Sequence, residues 1–109
     1  MKHENFQVNG DVVKQDDRYV VIDNKVLSNL VLSSTLLHPE KSTSGHMHAG
    51  QEEVYFFISG TGTMQLDEET FPVKAGDIVQ IKDGAFHRVF NDGDTDLYFV
   101  CVFDGRRNH

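Results

Sequence analysis

Two short stretches of the chain carry side chains that could hold a metal ion. One is HMHAGQEE, residues 46–53, and the other is the burst HRVF that opens with His87. On an extended backbone successive side chains alternate faces, so His46 and His48 point the same way and Met47 points oppositely, into packing. Glu53 shares parity with Gln51, Tyr55 and Phe57, while Glu52 has the other parity and is the rival carboxylate. Three imidazoles and one carboxylate converging on a point would bind a divalent transition metal at about 2.0–2.2 Å per ligand. A His-x-His pair by itself describes two surface histidines equally well; the carboxylates and His87 give it weight. Gln51 and Tyr55, on the face of Glu53, are candidates to contact a substrate. Tyr55 is also the one candidate catalytic side chain besides the ligands, although core packing explains it equally well. His3, His38 and His109, near the ends or in a loop, read as solvated surface residues.

The elements that must position these groups are strands. The apolar residues come in short bursts: RYVVI (18–22), LVLSSTLL (30–37), VYFFIS (54–59), TMQL (63–66), FPV (71–73), DIVQI (77–81), HRVF (87–90) and LYFVCVF (97–103). Gly-, Asn- and Asp-rich turns separate them, and no window holds an i, i+3, i+4 stripe long enough for a helix. The pattern predicts one antiparallel all-β domain over residues 1–109, a sandwich or barrel with its core at about 18–103. VYFFI and LYFVCVF are apolar at both parities, so both faces need cover. One face fills the interior. The other meets either the N-terminal segment or a second copy of the chain, and a homodimer is the economical expectation. The N-terminal segment adds an edge strand through Phe6 and Val8 or swaps onto a partner, and DGRRNH (104–109) is a polar, frayed tail.

Composition narrows the partners. With 17 acidic against 10 basic residues the formal charge is −7, which disfavours nucleic acid and anionic membrane surfaces. The lone Cys101 sits in an apolar run, reads as a packing residue and allows no internal disulfide, so the expected compartment is cytoplasmic. The first twenty residues lack the apolar stretch of a signal peptide, and no apolar run approaches the roughly 18 residues of a spanning helix.

The two ligand-bearing stretches have a further regularity. The first reads His46-x-His48, four residues, Glu53, six residues, Gly60; the second reads Gly76, five residues, Lys82-Asp83-Gly84, two residues, His87, three residues, Asn91. This pair resembles the two motifs of the cupin superfamily, with fifteen residues (61–75) between them as in compact single-domain members. The resemblance implies a double-stranded β-helix, a jelly-roll barrel holding one metal near its open end. It places His46, His48, Glu53 and His87 on the ligand positions, favouring Glu53 over Glu52, and Gly60, Gly76, Gly84 and Asn91 on structural positions. The family's glycine six residues before the first histidine is replaced by Glu40, with Gly45 taking over the turn. The proline preceding the second motif's x-Gly pair, here Asp83-Gly84, is replaced by Lys82.

Such a site is nitrogen- and oxygen-rich and leaves positions open, unlike a closed, sulfur-rich structural zinc. Iron, manganese, nickel, zinc and copper all occur in the family. Fe(II) would suit dioxygenase chemistry, and the other ions would act as Lewis acids for isomerisation, decarboxylation or lyase chemistry. The expected function is a metal-dependent enzyme acting on a small oxygenated organic substrate. The alternative is a non-catalytic cupin that binds a small ligand. Lys74 and Lys82 fall in turns and Arg88 faces away from His87, which weighs against a sugar phosphate and toward an uncharged or weakly acidic ligand.

Overall fold

A computed structural model describes residues 1–105 and 107; Arg106, Asn108 and His109, and the readings made of them, lie outside the described residues. The described residues form nine strands and no helix: β1 (Asp11–Gln15), β2 (Tyr19–Asn24), β3 (Leu30–Leu37), β4 (Glu53–Ser59), β5 (Thr61–Leu66), β6 (Glu69–Lys74), β7 (Ile78–Ile81), β8 (His87–Phe90) and β9 (Leu97–Asp104). Two antiparallel sheets enclose the core, one ordered β1-β2-β3-β9-β4-β7 and the other β6-β5-β8. The fold is a double-stranded β-helix, a jelly roll.

The strand period of two accounts for most of it. In β4 the side chains of Glu53, Tyr55 and Phe57 are buried, while Val54, Phe56 and Ile58 are half-buried on the outside. Antiparallel pairing sets Glu53 against Phe103, Tyr55 against Cys101 and Phe57 against Phe99, so the inward residues of β4 and β9 form one apolar layer. Phe57, Phe99 and Phe103 are almost wholly buried, each contributing roughly 1.5–3 kcal/mol by burial. Glu53 is the polar end of that layer. Below it the inward residues of β4 and β9 are apolar or aromatic, so on these strands the carboxylate marks where the packed layer gives way to a site.

Two turns are held by backbone that favours glycine. Gly60 has φ +87°, and a Cβ there would collide with the Asp96 carbonyl. Asn91, buried, donates from Nδ2 to the carbonyls of Leu37 (2.9 Å) and Thr95 (2.8 Å), tying β8 to β3. The turn expected of Gly45 is made by Glu40 itself, whose φ is +64°. Gly45 is small for another reason, since a Cβ there would run into the Phe86 ring.

The outer face of the large sheet is covered in part by the N-terminal segment. The edge strand runs over Asp11–Gln15 and not through Phe6 and Val8, because Asn5 and Phe6 adopt left-handed φ values of 54° and 57° and turn the chain. Val8 packs, Phe6 is exposed, and the outward Tyr98 is buried with its hydroxyl donating to the Phe6 carbonyl at 2.8 Å. The end of the chain departs from expectation as well. Arg107, read as part of a frayed tail, folds back onto the buried Asp23, because a carboxylate with no exposed surface requires a cation.

Candidate metal centre

His46 and His87 come together through backbone pairing. His46 N donates to His87 O at 3.2 Å and His87 N donates to His46 O at 2.9 Å, a single antiparallel bridge joining the loop after β3 to the start of β8. The next turn fastens His48, whose carbonyl accepts from Gly84 N at 2.9 Å, while Gly50 N donates to Asp83 Oδ1 at 2.7 Å. Gly84 supplies the positive φ of +77° that this turn requires. Glu53 opens β4 opposite them. Backbone hydrogen bonds thus place all four candidate ligands, on strands or on loops pinned to strands.

Their ligand atoms all lie within 4.8 Å of one another. Two ligands on opposite sides of an ion with bonds of about 2.1 Å stand about 4.2 Å apart, so a few tenths of an ångström of side-chain movement closes the cage. His87 Nε2 is 2.9 Å from Glu53 Oε2, and both side chains are essentially inaccessible. His87 Nδ1 sits 3.2 Å from the Ala85 carbonyl, which can only accept; that contact puts a proton on Nδ1 and turns Nε2 toward the centre. The ring centroids of His46 and His87 are 4.3 Å apart and those of His46 and His48 are 4.6 Å apart.

Burial lowers the His46 pKa from its usual 6.5 to about 4, with His87 and His48 adding to the effect and Glu53 opposing it. His48 is lowered too, again mainly by burial, with Lys14 and Arg107 among the nearby cations that contribute. Neutral imidazoles are what a cation needs. The sign for stability follows. Between pH 6.5 and about 4 the unfolded chain takes up a proton at residue 46 that the native chain refuses, so stability rises with pH across that window and falls as pH drops through it. Metal-free protein is expected to lose thermal stability more steeply over this range than its His46→Gln variant. Parallel Tm profiles for the two would contradict it.

Other expected residues divide. Glu52 is exposed, consistent with its outward parity. Met47 points away from the histidines but is 65% exposed rather than packed, because its segment runs along the rim with nothing above it. Gln51 is buried on the face of Glu53, and its Nε2 donates to the Asp104 carbonyl at 2.9 Å, anchoring the end of β9. Tyr55 does face the cavity, stacked on Phe99 (5.1 Å) and edge-on to His87 (5.7 Å). Burial, reinforced by Glu53, pushes its pKa well up, which favours the protonated phenol, a hydrogen-bond donor. Burial likewise pushes the Cys101 thiol up to about 12, making it a packing residue.

The family of this chain follows from one further comparison. Residues 34–103 match the family model described as the cupin domain. The chain is a cupin. Among curated cupin relatives, an oxalate-binding protein of Thermotoga maritima is 36% identical over 66 residues, covering 61% of this chain and 54% of that protein. A 5-aminosalicylate 1,2-dioxygenase of a Comamonas species is 36% identical over 78 residues, 72% of this chain and 20% of the enzyme. The chain thus spans about half or less of the length of these relatives. A Klebsiella pneumoniae protein with a double-stranded β-helix domain superposes with a TM-score of 0.79 at 23% identity, covering 94% of this cupin and 90% of that chain. No described helix of the cupin is long and apolar enough to cross a membrane.

Residue spacing left several cavity-lining or supporting groups unplaced. Lys14 and Arg107 line the cavity that His46, Glu53 and Tyr55 share, and Asp23 holds Arg107 from behind at 2.6 and 2.9 Å. Ser33 adds a 3.0 Å contact to the same guanidinium. At the rim, Arg18 reaches from the β1–β2 turn to Ser44 Oγ at 2.9 Å and pairs with Asp16, steadying the segment before His46.

Proposed function

We propose that this cupin is a metal-dependent enzyme that binds one divalent transition ion (Fe, Mn, Ni, Zn or Cu) through His46, His48, Glu53 and His87 and acts on a small oxygenated organic substrate. The observation that carries the reading is the convergence of three imidazoles and one buried carboxylate within 4.8 Å at the end of an apolar layer. A bound ion would supply an open Lewis-acidic or redox-active coordination position. The protein's own contribution is positional. It favours the neutral forms of His46 and His48, aims His87 through Ala85, walls the cavity with Tyr55 and Phe99, and offers the Tyr55 hydroxyl as a donor.

The dioxygenase, oxalate-binding and isomerase names among its relatives support small-molecule chemistry without choosing the reaction class. Metal analysis of untreated protein, followed by O2 uptake and by isomerase and decarboxylase assays on the loaded form, tests the proposal. One equivalent of a first-row ion and turnover in one panel is the expected result; protein that takes up no divalent ion under any loading condition ends it. A ligand-binding cupin is the second reading. The likeness to the oxalate-binding protein of Thermotoga favours it. Tight binding with no turnover in any panel would select that reading.

We further propose a homodimer, located in the cytoplasm, formed through the outer face of the large sheet. Leu32, Val102 and Val54 lie in one cross-strand row there, beside Phe56, Val100 and the 62%-exposed Ile78. Sedimentation equilibrium is expected to give twice the chain mass, and Val102→Asp to give a folded monomer. A wild-type monomer at tens of micromolar would rule out this assembly.

A further inference from the structure

The cavity beside the candidate ligands has a charged wall that strand parity alone would not place there. In β1, Val12 pairs with Ile22 on the outer face of the sheet, and regular alternation would turn Lys14 outward as well. The register shifts between Val12 and Lys14, Val13 being the extra residue of a β-bulge, and Lys14 pairs instead with Val21. Val21 is buried and faces the interior, so the bulge re-aims the lysine toward the barrel mouth. There Lys14 lines one cavity with His46, Glu53, Tyr55 and Arg107. Arg107 is balanced by Asp23, whereas Lys14 has no such close carboxylate among the described residues.

We propose that Lys14 is the residue that selects the substrate, and that the substrate is a small carboxylic acid bearing an oxygen next to its carboxylate. This inference rests on the metal-centre reading and deepens it. With a divalent ion in the cage, Glu53 cancels only part of its charge and Lys14 adds more, so the cavity favours an anion. Its space of about 40 Å³ restricts a ligand to few non-hydrogen atoms, as in a small acid. One carboxylate oxygen pairs with the Lys14 ammonium, and the neighbouring keto or hydroxyl oxygen is left to face the four ligands. Thr35 and Ser44, on the same lining, offer hydroxyls to the remaining carboxylate oxygen. The inferred ligand is therefore more acidic than the uncharged or weakly acidic one expected from the placement of Lys74, Lys82 and Arg88.

The test is calorimetric binding of pyruvate and glycolate, each against its own amide, to metal-loaded wild-type, Lys14→Met and Lys14→Arg proteins, with metal content measured in every sample. Wild type is expected to bind at least one acid about tenfold or more tighter than its amide, the range of a charge-assisted hydrogen bond. Lys14→Met should lose that preference while keeping its metal and its amide affinity, and Lys14→Arg should retain most of it. A Lys14→Met protein that holds metal and still prefers the acid, or a metal-loaded wild type that binds neither acid, overturns the assignment of Lys14 alone. A wild type that holds no metal overturns the centre itself, and is recognised by metal content before any ligand is added.

Discussion

Glu53→Gln is expected to lose at least about 100-fold in divalent-metal affinity, while Glu52→Gln keeps wild-type affinity. Removing even an outer-shell partner of a metal ligand typically costs about 10–100-fold, and Glu53 would be the sole anionic ligand of the four. Glutamine keeps the shape, and its amide can donate to His87 Nε2 across the 2.9 Å contact, but it carries no charge to offset the ion. The substitution also removes a carboxylate from a site almost closed to water, so metal-free Glu53→Gln should be no less stable than metal-free wild type, to within about 1 kcal/mol. Competition with a chromophoric chelator, alongside chemical denaturation of both metal-free proteins, separates lost binding from lost folding. Loss of metal in Glu52→Gln with retention in Glu53→Gln would reverse the parity of β4.

That parity was legible because β4 is regular from its first residue. Glu53, Tyr55 and Phe57 alternate with Val54, Phe56 and Ile58 without interruption, and the bulge comes only after Phe57, beyond the site. His87 could be anticipated for the same reason, since it opens a strand after a glycine turn. Legibility fails wherever the period of two is broken or a partner is distant. Met47 was misplaced because its segment has one bridge, at His46, and no neighbour over its outer side. Lys14 is displaced by a single extra residue in an edge strand, a defect that no composition rule announces. Asp23 alternates correctly inward on β2, but a buried carboxylate reads from sequence as an edge or turn residue until its cation is found. That cation lies 84 residues away in a stretch of polar residues. The functional consequence is uneven. The four candidate metal ligands were foreseeable from strand parity taken together with the motif resemblance, whereas the charge that would choose the ligand comes from a bulge and a tail.

The tail contact gives the second large prediction, an asymmetry between the two halves of one ion pair. Arg107→Met is expected to destabilise the protein by about 3–5 kcal/mol, the cost of leaving a buried charge without its partner. Asp23 has no exposed side-chain surface and sits mid-sheet on β2, so its carboxylate cannot reach water once the guanidinium is gone. Asp23→Asn should cost less, about 1–2 kcal/mol, because Arg107 lies beyond the last strand, is itself partly exposed, and can swing its charge into solvent. Replacing both, as Asp23→Leu with Arg107→Met, should recover much of the loss, since an apolar pair of similar volume avoids the desolvation of both ions. Urea denaturation of the two single variants and the double variant measures the coupling directly. Equal single costs that simply add in the double would mean that Arg107 does not neutralise Asp23 in solution. The same experiment bears on the cavity, because Arg107 forms part of its wall only while Asp23 holds it there, two bonds of 2.6 and 2.9 Å fixing a guanidinium that stacks over Phe103. A single variant that weakens the pair should therefore loosen ligand binding while leaving the four candidate metal ligands in place.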